Sequence, residues 1–263
     1  MNIKDVELFP EEVVNIMNEQ EFIGIRLSGG IDSATLCHIV LTYFPHVKIL
    51  PITFYNVLRP NALNSVNKVL SVLKELNPTH NIIGHEIGQF DTTGYVRSEI
   101  NDGVKRNPKD IFQKQFIKDL FSKYQGKLNF VLTGETLNPP IEEQDRLFPS
   151  GNDFPKDRNK LRSQLLYQYS VDNVTKYEYA PFRNYNKKQI ADVCRELGLL
   201  ETLFPVTETC ETEPHKYNSY YSKAFDIEYT SPGIEPCQCC WPCREKYWAY
   251  GVFDFNTMRR TKK

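Results

Sequence analysis

Phe22-Ile23-Gly24-Ile25-Arg26-Leu27-Ser28-Gly29-Gly30-Ile31-Asp32-Ser33-Ala34-Thr35-Leu36-Cys37-His38-Ile39-Val40-Leu41 is the stretch on which the fold turns. Its first six residues are a short apolar run that reads as a strand, and residues 34–41 read as a helix with a largely apolar surface. Strand, small-residue turn and helix in succession aim unsatisfied backbone N–H groups at an anion. Gly29 and Gly30 allow a sharp turn and a close approach to phosphate oxygens, with no Cβ in the way. Ser28 and Ser33 add hydroxyl donors, and Asp32 stands where a helix N-cap is expected. An ordinary Gly-containing turn without a ligand is the competing reading; six matching positions in a strand-to-helix context weigh against it.

At 263 residues the chain fits one large α/β domain with an appendage. Its 40% hydrophobic and 25% charged residues are those of a globular protein and not of a disordered one. A net charge of −1 gives no bulk electrostatic reason to bind nucleic acid or an anionic membrane. No apolar run approaches the ~20 residues a membrane span needs, and the acidic N-terminus does not resemble a signal peptide. A cytoplasmic protein is the resulting expectation, in which the seven cysteines read as thiols and metal ligands rather than disulfides.

Outward from the loop, residues 10–20 read as a short amphipathic helix leading into the first strand. Residues 47–54 read as a second strand despite Pro51, and residues 61–76 as a helix with Ala62, Val66, Val69, Leu70, Leu73 and Leu76 on one face. Residues 80–87 suggest a third strand, 111–124 a helix, 127–133 a fourth strand and 177–182 a fifth. Residues 186–198 form a convincing helix ending at a C-cap glycine, Gly198. Residues 140–172 are polar and aromatic and read as a long loop or helical insertion. Strands alternating with helices predict a parallel sheet. Ligands in such sheets bind at the carboxyl ends of strands, which makes Gly134 and Glu135, just after the fourth, site candidates by position, with an ordinary turn as the alternative.

A second cluster lies near the C-terminus. Cys237, Cys240 and Cys243 have C-x2-C-x2-C spacing, and Cys210 supplies a fourth thiolate, enough for a tetrahedral structural zinc. An iron–sulfur cluster can use the same four ligands, and a redox-active pair is a weaker reading. Cys239 is the spare, while Cys37 and Cys194 fall in helical patterns as buried small hydrophobes. The five histidines show no ligand spacing. The boundary falls near residue 200, giving a nucleotide-binding α/β unit over 1–200 and a Cys-rich zinc-binding segment over 201–263.

Residues 28–33 match the S-G-G-x-D-S signature of the PP-loop ATP pyrophosphatases, and the chain resembles that superfamily. With the cysteines it resembles one branch, the 7-cyano-7-deazaguanine synthases of queuosine-precursor biosynthesis. The stretch Ile52-Thr53-Phe54-Tyr55-Asn56 followed by Arg59 resembles that family's second strand and turn. Residues 181–199 resemble its proline-led segment and helix, with Lys187 or Lys188 as the lysine near the helix start. Cys210, Cys237, Cys240, Cys243 and Arg244 resemble its ending. The resemblance implies a Rossmann-like, adenine nucleotide alpha hydrolase-like fold: a parallel five-stranded sheet flanked by helices, with a small C-terminal zinc-binding subdomain.

It further implies that ATP loses pyrophosphate as a substrate carboxylate attacks the α-phosphorus. Ammonia then displaces AMP to give an amide, which a second adenylation would convert to a nitrile. Ser28, Asp32 and Ser33 would be catalytic. Ser28, Gly29, Gly30, Asp32, Ser33, Thr53, Phe54, Gly134, Glu135, Lys187 and Arg244 would line the nucleotide site, with Asp32 helping to hold Mg2+. Solvated surface charge is the competing reading of Lys187. A deazapurine-type substrate and ammonia are the expected partners, and a homodimer fits the resemblance. Two other readings stand beside it: another PP-loop enzyme modifying a nucleobase or tRNA, such as a thiolase, and a non-catalytic nucleotide-binding subunit.

Overall fold

The computed structural model describes residues 8–58, 61–78, 81–91, 108–147, 166–171, 174–210, 220–222, 227–229 and 241–253. The apolar run before the loop is strand β1 (Ile23–Arg26), parallel to β2 (Ile49–Asn56) on one side and to β4 (Phe130–Thr133) on the other. β3 (Glu86–Phe90) extends the sheet beyond β2, and β6 (Val174–Tyr179) extends it beyond β4, both in parallel. β5 (Leu166–Val171) closes the far edge, antiparallel to β6, so the order is β3-β2-β1-β4-β6-β5. The five expected parallel strands are present. β1 reads as a continuous apolar run because both its faces are covered.

The sixth strand corrects the expectation of a loop or helical insertion over 140–172. That region supplies the short helix α5 (Ile141–Leu147) and β5. Leu166-Tyr167-Gln168-Tyr169-Ser170-Val171 alternates aromatic and polar residues, the weak signature of an edge strand. Boundaries also move. The third strand is Glu86–Phe90 and not 80–87, preceded among the described residues by an isolated bridge between Ile49 and Ile82. The fifth parallel strand is Val174–Tyr179 and not 177–182, because the chain turns at residues 181–184.

Pro51 is tolerated for a local reason. Ile49 bonds toward the β3 side through Asn81 and Ile83, and by alternation the Pro51 nitrogen faces the same way. Ile49 pairs with Ile82 and Ile52 with Glu86. One extra residue on the β3 side therefore interrupts the ladder where proline has no N–H to give.

Helices cover both faces. Val13 and Met17 of α1 (Glu11–Asn18) share one core with α2 (Ile31–Tyr43), with Val66, Val69, Leu70 and Leu73 of α3 (Asn61–Leu76), and with Ile23, Ile25 and Leu27. Ile190, Val193 and Cys194 of α6 (Lys187–Glu196) join the same core. On the opposite face Ile117, Leu120 and Phe121 of α4 (Pro108–Lys123) pack on Leu50, Ile52 and Val131. Asn186 and Gln189 form a reciprocal capping box at the start of α6, and Gly198, at φ 68°, follows its C-cap residue.

The chain then passes a 3-10 turn (Phe204–Val206) and residues 207–210, and a short antiparallel pair, β7 (Tyr220–Ser222) and β8 (Ile227–Tyr229). It ends, among the described residues, in α7 (Trp241–Tyr250), which packs on α6 and α5. No helix of the described residues is long and apolar enough to cross a membrane.

Cys37 and Cys194 are buried as expected, their thiols pushed up to about 12 and about 11 respectively by desolvation, which keeps them unreactive. His38, between α2 and α3, contacts Thr42 and Asn77, and burial lowers its pKa below 6.5. The folded state therefore takes up the His38 proton less readily than the unfolded state. Stability from this site is fully present above about pH 6.5 and is lost as pH falls through the lowered folded value. Urea midpoints measured from pH 7.5 to 5 are expected to fall, and His38→Gln is expected to flatten that slope; an unchanged slope would count against the assignment.

Candidate active site

The loop at residues 28–33 joins the carboxyl end of β1 to α2. Between β1 and β4 the strand order reverses direction, and this is where open α/β sheets hold ligands. Gly29, at φ 82°, makes the turn in a conformation that costs other residues about 1–2 kcal/mol. Two serines brace it. Ser28 N–H donates to Ser33 Oγ (3.1 Å), Gly30 N–H donates to Ser28 Oγ (3.3 Å), and Ser33 Oγ donates to the Gly30 carbonyl (3.1 Å). The two hydroxyls also bond each other at 3.1 Å.

The N-cap of α2 is Gly30, not Asp32, and no side chain caps it. The N-cap therefore brings no capping oxygen of its own to the first turn, as at a helix N-terminus open to an anion. Asp32 lies inside the first turn instead, because an acid there meets the positive end of the helix and a cation across the site.

That cation is Lys187. Its Nζ lies 3.1 Å from Asp32 Oδ2 and 3.3 Å from Glu245 Oε2, and its side chain is only 5% exposed. The surface-charge reading of Lys187 is therefore corrected. A signal for this exists in the sequence: Lys187, Ile190, Ala191 and Cys194 fall on one buried stripe of α6. A lysine on an apolar stripe is held for a partner.

Gly134 lies where the turn after β4 meets the loop. A Cβ built there would sit 2.8 Å from both Ser33 Cα and Ser33 N, and 3.1 Å from the Asp32 carbonyl carbon. Glu135 follows, half-buried, and its charge helps raise the pKa of Glu178. The main cause of that rise is burial of Glu178, opposed by Arg26, which bonds Glu178 at 3.0 Å.

Thr53 and Phe54, expected together at the nucleotide, point to opposite faces of the sheet. Thr53 Oγ1 donates to the Leu27 carbonyl (2.8 Å) and bonds His85 Nε2 (2.8 Å), locking the end of β1 beside the loop. Phe54 packs against Phe116 and Phe112 on the α4 face, with the Arg26 guanidinium 5.8 Å from its ring centre. Arg244 is buried, and its Nη1 donates to the Leu147 carbonyl (3.0 Å), tying α7 to the end of α5. Its neighbour Glu245 is the α7 residue that reaches Lys187.

Two further acids went unread in the sequence, Glu245 and Glu208. Glu208 N–H donates to the Gly29 carbonyl (2.9 Å), and its Oε2 accepts from Ser65 Oγ (2.6 Å). Thr209 Cγ2 would lie 3.3 Å from a Cβ on Gly30. Residues 208 and 209 therefore lie directly on the loop, and Cys210 follows, 1% exposed. Among the described residues, Asp32 Oδ1, Glu208 Oε1 and Thr209 Oγ1 are buried oxygens with no hydrogen-bond partner. Such oxygens are costly unless a ligand or ion satisfies them. Cys243 is buried in α7, whereas Cys237, Cys240 and Arg59 lie outside the described residues. Among the described residues no group of three metal-ligating side chains comes together.

No protein-family model matches the sequence, and no curated protein sequence matches it. Solved structures similar to this chain include a U34-tRNA thiolase, NcsA, from Methanococcus maripaludis with its 4Fe-4S cluster, at 14% identity and a TM-score of 0.44 over 75% of this chain. An NMN synthetase from Francisella tularensis has 14% identity and a TM-score of 0.38, covering 96% of this chain and 94% of its own. An FMN adenylyltransferase from Candida glabrata, in complex with FMN and an ATP analogue, has 10% identity and a TM-score of 0.33 over 68% of this chain. The chain spans 64% of the thiolase's length and 49% of the adenylyltransferase's. Similarity this low carries nothing about substrate.

Proposed function

We propose that the protein is an ATP-using enzyme of the PP-loop kind that transfers AMP to a substrate oxygen and releases pyrophosphate. The observation that carries this reading is the uncapped N-terminus of α2 at the β1–β4 switch point, with Asp32 in its first turn ion-paired to buried Lys187. The backbone N–H groups of the loop would bind the pyrophosphate, and Lys187 would neutralise the negative charge that grows on it as it leaves. Ser28 and Ser33 keep the loop in the shape that presents those N–H groups.

Asp32 Oδ1 and Glu208 Oε1, buried carboxylate oxygens that no hydrogen-bond partner among the described residues satisfies, suit a hard cation, and these residues would hold Mg2+. When bound, Mg2+ would neutralise phosphate charge. The four cysteines 210, 237, 240 and 243 would hold a structural zinc; the two described ones, Cys210 and Cys243, are both buried, as thiolate ligands of a closed site are.

The acceptor we infer is a carboxylate of the 7-carboxy-7-deazaguanine class, attacking the α-phosphorus through one oxygen. The acyl-adenylate then yields an amide with ammonia as AMP departs, and a second adenylation of the amide oxygen leads to the nitrile. The sequence resemblance supports this choice.

Incubation with ATP, Mg2+, ammonium and 7-carboxy-7-deazaguanine is expected to give AMP and pyrophosphate in equal amounts, from protein carrying about one zinc per chain. ADP and phosphate as products would overturn the PP-loop reading. Turnover only with a different carboxylate or a tRNA would overturn the acceptor alone, and iron with acid-labile sulfide would overturn zinc.

A further inference from the structure

Lys187 stands between two parts of the chain far apart in sequence. Its ammonium is shared by Asp32, in the first turn of α2, and Glu245, in the middle of α7. Glu245 is fully buried and Lys187 nearly so. One carboxylate would suffice to neutralise a buried lysine, and desolvating a second is unfavourable in itself. Glu245 thus gives the Lys187 ammonium a second carboxylate contact, from a helix distant in sequence.

The surroundings of Glu245 fix its place. On one side Arg244 Nη1 donates to the Leu147 carbonyl. On the other Lys246 Nζ lies 3.4 Å from the Thr207 carbonyl and 4.4 Å from the Phe204 ring centre. Thr207 directly precedes Glu208 and Thr209, which rest on the loop. Three consecutive buried charges thus pin α7 to α5, to α6 and to the segment covering the loop.

We propose that Glu245 is a positioning residue for nucleotide binding: it holds the Lys187 ammonium over the 28–33 loop, so that the charge stays aimed at the polyphosphate when Asp32 turns to the cation. This rests on the ATP reading above. Without Glu245 the Lys187 ammonium loses one of its two carboxylate contacts and keeps Asp32, the residue that bound cation would compete for. With it, the ammonium is placed before the nucleotide arrives, and less is lost in ordering it. It also makes α7, which carries Cys243 two residues earlier, a structural support of the phosphate site.

The test is a double-mutant cycle on MgATP binding, measured by calorimetry without acceptor, with folding checked by circular dichroism. Lys187→Gln is expected to weaken MgATP binding by about 100-fold and Glu245→Gln by about 10-fold. The double variant is expected to bind no more weakly than Lys187→Gln alone, since Glu245 acts through the lysine. If Glu245→Gln does not fold, Glu245→Asp replaces it in the same cycle; it keeps the charge but withdraws it by one methylene, and its loss too should vanish in the Lys187→Gln background. A merely structural Glu245 would lower the melting temperature and leave affinity unchanged, or give additive losses, and either result overturns the proposal. Wild-type protein that binds no MgATP would overturn both this and the ATP reading, whereas an additive cycle overturns only the role of Glu245.

Discussion

Gly134→Ala is expected to lower pyrophosphate release by about 100-fold or more while costing about 1–3 kcal/mol of stability. The new Cβ would meet backbone atoms, Ser33 Cα and N at 2.8 Å and the Asp32 carbonyl carbon at 3.1 Å, so no rotamer change relieves it. Either the turn after β4 retreats or the first turn of α2 moves, and α2 carries Asp32 and the loop's N–H groups. A displacement of about 1 Å at such a site is enough for that loss. Gly24→Ala is the control. Its Cβ would meet Ile52 Cδ1 at 2.8 Å and Val131 Cγ2 at 3.0 Å, both ends of side chains that can shift. It should cost stability with much less effect on turnover. Pyrophosphate release at the wild-type rate in a folded Gly134→Ala protein would show that this contact does not set the loop.

Asp32→Asn is expected to lower kcat/KM for ATP by about 10²–10³-fold with almost no change in melting temperature. Removing one partner of a buried ion pair ordinarily destabilises by about 3–5 kcal/mol, because a charge is left alone. Here the sum runs differently. Asp32 and Glu245 both face the Lys187 ammonium, so losing the Asp32 charge leaves Lys187 paired with Glu245. Stability is therefore kept while the site loses an oxygen donor for a cation and the negative charge at the start of α2. A large fall in melting temperature would show that Asp32 is structural; full activity would remove it from the site.

The loop was legible because all its parts are neighbours in sequence: six residues carry the turn, the hydroxyls and the acid, and the apolar runs on either side name the strand and helix. The longer helices were legible for a similar reason, since α3 and α6 repeat their apolar residues at helical spacing. Edge strands were not. β5 is an alternating aromatic and polar segment with no continuous apolar run, and β3 begins only after the ladder has skipped the position opposite Pro51. The partners of the loop were less legible still. Lys187 could have been suspected from its place on the apolar stripe of α6. Glu245 sits in a run of three charged residues that spells a solvated surface, and Glu208 in a polar run with no periodicity.

The sequence alone determined that a strand–turn–helix unit near the N-terminus offers backbone donors to an anion, that parallel strands follow it, and that thiols gather toward the C-terminus. These properties depend on local spacing, which a linear chain displays. Only the tertiary structure decided that Gly134 touches the backbone of Ser33, that Thr53 and Phe54 part to opposite faces, and that Asp32 shares one lysine with Glu245. The reason is physical. Whether a charge is solvated or buried depends on what is packed over it, and here the cover comes from segments distant in sequence, α6, α7 and residues 207–209. The S-G-G-x-D-S loop thus suggests an anion site by itself, while the lysine that faces it comes from a helix more than 150 residues further along the chain.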